Sequence, residues 1–137
     1  GTVTVTADIY GTDNVGGIVG SGTAVNVTVK AEITGDITGT AYVGGVAGNG
    51  TAATITEAVI EGNVTGEDNV GGIMGYNGEG GPITGCTVKN LKFKYAEEGK
   101  NESSSFGGLV GYVNYGVNAV ITDNKVSGIY AHTKAAG

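Results

Sequence analysis

The chain has little of the chemistry on which enzymes and metal sites depend. Its 137 residues include one cysteine, one histidine, one proline and no tryptophan, and all seven basic residues are lysine. A single cysteine, Cys86, excludes an internal disulfide, and it lies far in sequence from His132, the only histidine available as a base to activate it. We interpret Cys86 as a small core residue and His132 as a surface residue. The sequence predicts no catalytic residue, no metal site and no cofactor.

Charge and hydropathy exclude further classes. The net charge is −6 and arginine is absent, which argues against nucleic acid and anionic lipid, because both are bound through clustered basic side chains. Lyases that act on uronates also favour arginine around the substrate carboxylate. No apolar run approaches the roughly 20 residues that span a bilayer, and no basic region followed by an apolar stretch opens the chain. We expect a piece of a larger protein.

Glycine, by contrast, is abundant, with 28 residues, and much of it recurs in register. A five-residue glycine phrase occurs four times, with starts 28, 27 and then 36 residues apart; its copies are Gly16–Gly20, Gly44–Gly48, Gly71–Gly75 and Gly107–Gly111. Self-similarity at such a period is typical of stacked repeats. Each copy follows an apolar residue, at Val15, Val43, Val70 and Phe106.

Each repeat holds about three short stretches rich in Val, Ile and Thr, separated by Gly, Asn and Asp, a strand and turn composition. The sequence predicts an all-β fold, a parallel β-helix or β-solenoid of about four coils with 27–28 residues each. A sandwich is less favoured because it does not require the same residue type in register. The predicted single domain, 1–137, divides roughly into coils 5–32, 33–59, 60–87 and 88–130, with a loop insertion at 92–105.

The columns of the repeat predict local packing. Four residues share a position where only small groups fit: Ala31, Ala58, Cys86 and Asn124. The Gly-Gly pair predicts either a bend with positive φ or a close approach of another backbone segment. The two residues that follow the Gly-Gly pair are both apolar, although successive residues of a strand face opposite sides of the sheet. Either a bulge turns both side chains towards the core, or one of them is covered by another segment on the outer side.

The glycine phrase resembles the GLUG motif of surface-exposed bacterial proteins, also noted in IgA-cleaving metallopeptidases. Gly107–Gly111 (Gly-Gly-Leu-Val-Gly) is the nearest instance, and the resemblance covers Val5 to about Tyr130. It implies a secreted or cell-surface bacterial protein, often adhesin-like, in which such repeats form a stalk or display region. It does not imply peptidase activity, because those enzymes use H-E-x-x-H and His132 is followed by Thr133 and Lys134.

Tyrosines give the most informative surface prediction. The residues after the last two phrases are Tyr76 and Tyr112, which should be neighbours in one column, with Asn114 and Tyr115 close in sequence. Such a strip is a plausible platform for a sugar or a protein partner, since Tyr supplies contact area at low entropic cost. The alternative is an aromatic ladder that only stabilises adjacent coils.

Two other surface chemistries are weaker alternatives. Asp13 and Asp68 should share a column with Ala41 between them, about 10 Å apart, near the upper limit for an inverting glycosidase pair. With the adjacent Asn14 and Asn69 they could also bind calcium weakly, although Asp-Asn is a common turn dipeptide. Regular Thr columns could order water as in ice-binding proteins, but Tyr10 and Glu61 interrupt them.

Together these observations predict a non-enzymatic structural and interaction module of a secreted or cell-surface bacterial protein, related to adhesion. The expected partner is a host or cell-surface protein or a glycan, and not nucleic acid. A carbohydrate-binding solenoid using the tyrosine strip is the alternative. Exposed terminal coils leave unpaired strand edges, so we also expect end-to-end self-association.

Overall fold

The computed structural model describes residues 1–22, 28–50, 54–94 and 105–132. These residues form twenty short β-strands and no helix, as the strand and turn composition predicts. No helix in this part of the chain is therefore long or apolar enough to cross a membrane.

The strands, numbered in chain order, belong to four sheets. Sheet 1 contains β1 (Val3–Val5), β2 (Ile9–Tyr10), β6 (Ala31–Ile33), β7 (Ile37–Thr38), β11 (Val59–Gly66), β15 (Thr87–Lys94), β19 (Lys125–Val126) and β20 (Ile129–His132). Sheet 2 contains β3 (Asp13–Gly16), β8 (Ala41–Gly44), β12 (Asp68–Gly71) and β16 (Phe106–Gly107). Sheet 3 contains β4 (Val19–Ser21), β9 (Ala47–Gly50), β13 (Met74–Asn77) and β17 (Val110–Val113). Sheet 4 contains β5 (Thr28–Val29), β10 (Thr54–Thr56), β14 (Ile83–Thr84) and β18 (Ile121–Thr122).

Every strand pairing in these sheets is parallel and joins one repeat to the next. In sheet 2 the column predicted from the sequence is confirmed, since Val15 pairs with Val43, Val43 with Val70, and Val70 with Phe106. Sheet 1 carries a second apolar column through Val5, Ile33, Ile60, Val88 and Val126. Parallel sheets in which each strand pairs with its counterpart one repeat away are consistent with a β-helix or β-solenoid.

The core consists of these in-register columns. Branched side chains of the two middle repeats are fully buried, among them Ile33, Ile60 and Val70, and each such burial contributes about 1.5–3 kcal/mol. Equivalent residues of the first and last repeats, such as Val5 and Val126, are only partly buried. The small column is also buried at Ala31, Ala58 and Cys86. Among the described residues, the interior is therefore fully enclosed in the middle repeats and partly enclosed in the first and last.

A bend occurs at the second glycine of each Gly-Gly pair, as predicted, but without the predicted positive φ. The predicted close approach is correct, since a Cβ on Gly44 would lie 2.7 Å from the nitrogen of Gly75. The left-handed residues near the phrase are instead Asn14, Tyr42 and Asn69, two positions before its first glycine. A Cβ on Gly75 would lie 2.5 Å from the carbonyl carbon of Tyr42 and 2.6 Å from the nitrogen of Val43. Glycine at this position thus lets sheets 2 and 3 approach until backbone touches backbone.

The two adjacent apolar residues of the phrase lie on either side of a change in backbone direction. Both Val46 and Ala47 donate their backbone N–H to the carbonyl of Ile73, at 2.9 and 3.0 Å. In the next repeat Ile73 and Met74 likewise donate to a single carbonyl. The first residue of each pair occupies a bend and the second begins a strand of sheet 3, so the two are not successive residues of one strand. Both are buried in the two middle phrases and half-buried in the first and last.

The start of the predicted insertion differs from expectation. Strand β15 continues through Lys94, and Lys92 pairs with Tyr130, so the first residues of 92–105 extend sheet 1. Residues 95–104 lie outside the described part of the chain, and Ser105 again accepts a backbone hydrogen bond, from Val70, at 3.0 Å.

Candidate functional site

The predicted pairing of Tyr76 with Tyr112 is confirmed, and a third tyrosine packs against this pair. Tyr76 on β13 and Tyr112 on β17 are paired residues, and their rings stack with centroids 5.6 Å apart and planes 6° apart. Tyr42 joins them edge-on, with its ring centroid 5.9 Å from that of Tyr76 and an interplanar angle of 79°. Sequence reasoning missed Tyr42 because it lies in a different column, the one occupied by Asn14 and Asn69.

The left-handed backbone at Tyr42 lies inside β8, and the bend that leads to sheet 3 follows the end of that strand. The φ of Tyr42 is 51°, unusual for a bulky side chain and associated with turns or strain. The backbone around Tyr42 packs against Gly75, which immediately precedes Tyr76. The positive φ of Tyr42 is therefore accompanied by a tertiary contact. The sequence contains one signal for this φ: the equivalent residues of the neighbouring repeats are asparagines, which tolerate positive φ.

Tyr76 is the enclosed member of the cluster. One face stacks on Tyr112, the edge of Tyr42 meets its ring, and a Cβ on Gly78 would lie 2.6 Å from its Cε1 atom. Parallel rings stacked in this way occupy each other's faces, so the stack presents ring edges to solvent along its side. The accessible ring face belongs to Tyr112, which is 42% exposed.

A buried asparagine shapes the loop beneath Tyr76. The side chain of Asn77 is fully buried, and its Oδ1 accepts backbone hydrogen bonds from Gly80 at 2.9 Å and Gly81 at 3.1 Å. Its Nδ2 donates to the carbonyl of Gly81 at 3.0 Å. Asn77 thus satisfies its own polar atoms and closes the turn after β13, a role that sequence reasoning missed.

Asn114 and Tyr115 follow β17 on an exposed loop. The backbone N–H of Asn114 donates to the carbonyl of Asn77 at 3.1 Å, and its Oδ1 accepts from the N–H of Tyr115 at 3.0 Å. Tyr115 is 97% exposed and stacks on none of the other described rings. The predicted group therefore divides into a packed pair, Tyr76 and Tyr112, and an exposed pair, Asn114 and Tyr115.

The carboxylate column lies where the sequence predicts, with Asp13 and Asp68 each paired to Ala41. The Oδ1 atoms of Asp68 and Asn14 are shielded from solvent and have no hydrogen-bond partner among the described residues. Ala41 separates the two carboxylates by two strand spacings, about 10 Å. No group of three or more metal-ligating side chains occurs within the described ranges. The arrangement does not gather the six to eight oxygens that calcium takes.

A polar ladder runs along sheet 1 beside the apolar columns. Asp8 Oδ1 accepts from the backbone N–H of Asp36 at 2.9 Å, and Asp36 Oδ1 accepts from both the N–H and the Nδ2 of Asn63, at 2.8 and 2.9 Å. The hydrogen bonds from Asn63, with the positive charge of Lys92, hold the pKa of Asp36 below its usual range. The ladder stabilises the stacking of the repeats and leaves Asp36 ionised at neutral pH.

Cys86 lies in the small column, as predicted. Its thiol is buried and faces the carbonyls of Ile55 and Thr84, with Sγ to oxygen distances of 3.8 and 3.5 Å. Burial raises the pKa of the thiol, so the reactive thiolate is disfavoured. The side chain of His132 lies outside the described residues.

The Thr columns are interrupted, as the sequence indicates. Thr38 and Thr65 are paired in sheet 1, but Tyr10 precedes them, and Lys92 and Tyr130 follow them in the same column. A flat array of hydroxyl and methyl groups is therefore confined to two residues in this column.

A shallow groove on sheet 1 lies between Glu32 and Glu61, with Thr34 and Val59 also lining it. Glu61 forms an ion pair with Lys89 on the neighbouring strand. The groove borders the irregular register between Ile60 and Asn63 in β11. Its two carboxylates are exposed, and such a groove by itself indicates no particular ligand.

Comparison of the chain with protein-family models, with curated proteins and with solved structures finds no match.

Proposed function

We propose that the chain is a β-solenoid of about four coils that serves as a non-enzymatic structural and interaction module of a secreted or cell-surface bacterial protein, with adhesion as the role of the parent. The observation that carries the proposal is the continuity of its columns. Residues of like type pair from the first repeat to the last in sheets 1 and 2, and the same repeat spacing governs sheets 3 and 4.

The packing favours a structural role. Each repeat buries its apolar residues against the next, so the module is a rod whose length grows by about 4.8 Å with each coil. Close backbone contact between sheets 2 and 3 at the glycine phrases leaves no room for a larger side chain at those positions. Such a rod is suited to holding another part of a protein at a fixed distance. The resemblance of the phrase to the GLUG motif supports a surface location.

The second candidate is carbohydrate binding, favoured by the exposed pair Asn114 and Tyr115 beside Tyr112. In this reading the outer face of Tyr112 and the ring of Tyr115 stack on sugar rings, and the amide of Asn114 bonds a hydroxyl group. The enclosed Tyr76 would support Tyr112 without touching the ligand. The predicted site is thus Tyr112, Asn114 and Tyr115, with Tyr76 behind it.

Duplication of one repeat tests the architecture. Inserting a second copy of residues 33–59 after position 59 should give a folded protein about 5 Å longer by small-angle X-ray scattering, with a larger denaturant m-value. The matched control carries Ile37→Asp within the inserted copy, which places a charge in the interior column and should prevent its stacking. An inserted repeat that is unfolded by hydrogen exchange in both versions would contradict the solenoid.

A binding screen tests the function. The chain, displayed on a non-adherent bacterium, is screened against glycans and host matrix proteins, together with Tyr112→Ala and Tyr115→Ala. Tyr10→Ala is the matched control, because Tyr10 is 72% exposed and lies in the first repeat. Loss of glycan binding in the first two variants alone supports the carbohydrate site. Protein binding unaffected by all three supports the general adhesive role, and no binding to any target contradicts an interaction role for this chain.

A further inference from the structure

Charged residues are distributed unequally around the stack. Within the described ranges, every lysine lies on sheet 1 or at its junction with sheet 4: Lys30, Lys89, Lys92, Lys94 and Lys125. Sheets 2 and 3, with the described residues that connect sheet 3 to sheet 4, contain only acidic charges: Asp13, Asp68 and Glu79. We call this part of the surface the tyrosine side, because it also contains Tyr42, Tyr76, Tyr112 and Tyr115.

The acidic residue nearest in the chain to the buried turn at Asn77 is Glu79. It lies between β13 and β14, in the third repeat, and β13 is paired with a strand on either side. The side chain of Glu79 is exposed and takes part in none of the hydrogen bonds or ion pairs found among the described residues. Its charge therefore belongs to the lateral surface of the stack and not to an end.

The turn that carries Glu79 packs against the loop that carries Asn114 and Tyr115. A Cβ on Gly80 would lie 2.6 Å from the Cγ1 atom of Val117. The backbone N–H of Asn114 donates to the carbonyl of Asn77, at 3.1 Å, at the start of the same turn. The two segments are thus in direct contact, and Glu79 lies beside the candidate carbohydrate site.

A second acidic residue lies on the opposite side of Tyr112. A Cβ on Gly111 would lie 2.5 Å from the carbonyl carbon of Asn69, so these two backbones touch. Gly111 immediately precedes Tyr112, and Asn69 immediately follows Asp68. Tyr112 is therefore flanked by Asp68 in sheet 2 and by Glu79 in the turn after sheet 3.

This arrangement discriminates against anionic ligands. Carboxylate and sulfate groups on a sugar are bound through basic side chains, and none of the described lysines lies on the tyrosine side. At physiological ionic strength, charges interact over a screening length of about 8 Å, so Glu79 repels an anion in the adjacent loop. An uncharged sugar is not repelled, because it is held by ring stacking and by hydrogen bonds to its hydroxyl groups.

We propose that the tyrosine side binds uncharged glycans and rejects glycans that carry carboxylate or sulfate groups, and that Glu79 sets this preference. The inference rests on the carbohydrate function proposed above and adds the substrate class to it. Glu79 acts through its charge and does not contact the sugar. Rejection of an anionic group should weaken binding by about twofold to fivefold, the range typical of interactions between exposed charges.

Nitroxide probes of opposite charge test the charge assignment without any glycan. The relaxation of each backbone amide proton is measured by NMR with a cationic and with an anionic nitroxide of equal size. The ratio of cationic to anionic enhancement should be about twofold higher at Gly80 and Tyr115 than at Lys92. Glu79→Gln should lower the ratio at Gly80 and Tyr115. Equal ratios on the two sides of the wild-type stack would overturn the charge assignment.

The matched control is Glu32→Gln. Glu32 is an exposed carboxylate on sheet 1, away from the tyrosine side, and the substitution removes the same charge from the chain. It should leave the ratios at Gly80 and Tyr115 unchanged. An equal drop in both variants would show that net charge, and not the position of Glu79, determines the ratio, and this would contradict the proposal.

Paired glycans test the preference itself. Lactose and sialyllactose are compared by titration, and an array supplies other neutral oligosaccharides with their sialylated or sulfated counterparts. The wild type should bind the neutral member of each recognised pair more tightly, and the difference should shrink as salt is raised to about 0.5 M. Glu79→Lys should remove the difference, whereas Glu32→Lys should preserve it.

The possible failures are distinguishable. Equal or tighter binding of the acidic members by the wild type would overturn the proposal while leaving the carbohydrate function in place. A chain that binds no member of any pair overturns the carbohydrate function and the substrate class with it. In that case the nitroxide ratios still show separately whether the charge assignment of the tyrosine side is correct.

Discussion

Gly75 gives the most direct test of the contact between sheets 2 and 3. It is the last glycine of the third phrase, and it is buried. A Cβ added there would lie 2.5 Å from the carbonyl carbon of Tyr42, 2.6 Å from the nitrogen of Val43 and 2.7 Å from the carbonyl oxygen of Asn69. All three atoms belong to the backbone, so no side chain can rotate away to make room.

The size of the effect follows from these distances. Ordinary van der Waals contact begins at 3.4 Å, so a Gly75→Ala substitution requires a movement of about 0.9 Å by two strands at once. Those strands, β8 and β12, are themselves paired with each other and with neighbours on both sides. Overpacking of a well-packed site typically costs about 1–3 kcal/mol, and because three backbone contacts are too close at once we expect Gly75→Ala to cost about 3 kcal/mol.

Urea unfolding of Gly75→Ala and Gly22→Ala measures this cost. At Gly22 the nearest atom to an added Cβ is 3.7 Å away, and no positive φ is involved. We expect Gly22→Ala to be neutral or to stabilise by about 0.4–1 kcal/mol, because alanine restricts the unfolded chain. The substitutions should therefore differ in sign. A Gly75→Ala midpoint within error of the wild type would refute the backbone-contact explanation of the phrase.

Three further predictions concern buried or ionised groups. Asn77→Ala should cost about 2–3 kcal/mol in urea unfolding, because it removes three hydrogen bonds and leaves Gly81 groups unpaired in a buried turn; a loss below about 0.5 kcal/mol would contradict the role assigned to Asn77. The thiol of Cys86 should be unreactive towards a disulfide reagent at pH 8 and react rapidly once the chain is unfolded in urea, because burial raises its pKa; equal rates in both states would exclude a buried thiol. Because the pKa of Asp36 is lowered in the folded state, its ionised form stabilises the protein above the unfolded-state pKa, and that contribution disappears as pH falls through the folded-state pKa. Between pH 5 and pH 3, Asp36→Asn should therefore lose less stability in urea unfolding than the wild type, whereas equal losses would contradict an effect of the bonds from Asn63.

The repeat columns could be predicted from the sequence because stacking imposes one residue type at one position. Val15, Val43, Val70 and Phe106 are all apolar for the same reason: each faces the same interior from a successive strand. The pairing of Tyr76 with Tyr112 followed from the same register. A property that recurs with the repeat period can therefore be predicted from the sequence.

Properties determined by a single tertiary contact could not be predicted from the sequence. The positive φ predicted for the Gly-Gly pair occurs instead at Asn14, Tyr42 and Asn69, inside strands β3, β8 and β12. The glycines of the pair are required for close approach. Tyr42 joins the aromatic cluster although the two asparagines of its column indicate only a position that tolerates positive φ. Asn77 is one of several asparagines beside glycine in the sequence, and its burial, which the sequence does not show, distinguishes it.

The buried turn at Asn77 has a consequence for how the chain finds its register while folding. Repeats of such similar sequence could pair one period out of step at little local cost, and a slipped ladder would keep most of its apolar contacts. In the native register, Asn77 lies between Gly50 and Val113, neither of which can make its three hydrogen bonds. A slip of one repeat would place glycine or valine where the turn requires an asparagine side chain. It would also move Asn77 to a position where its side chain has no hydrogen-bond partners. A single residue that is not repeated thus helps to fix the register in which the repeats pair.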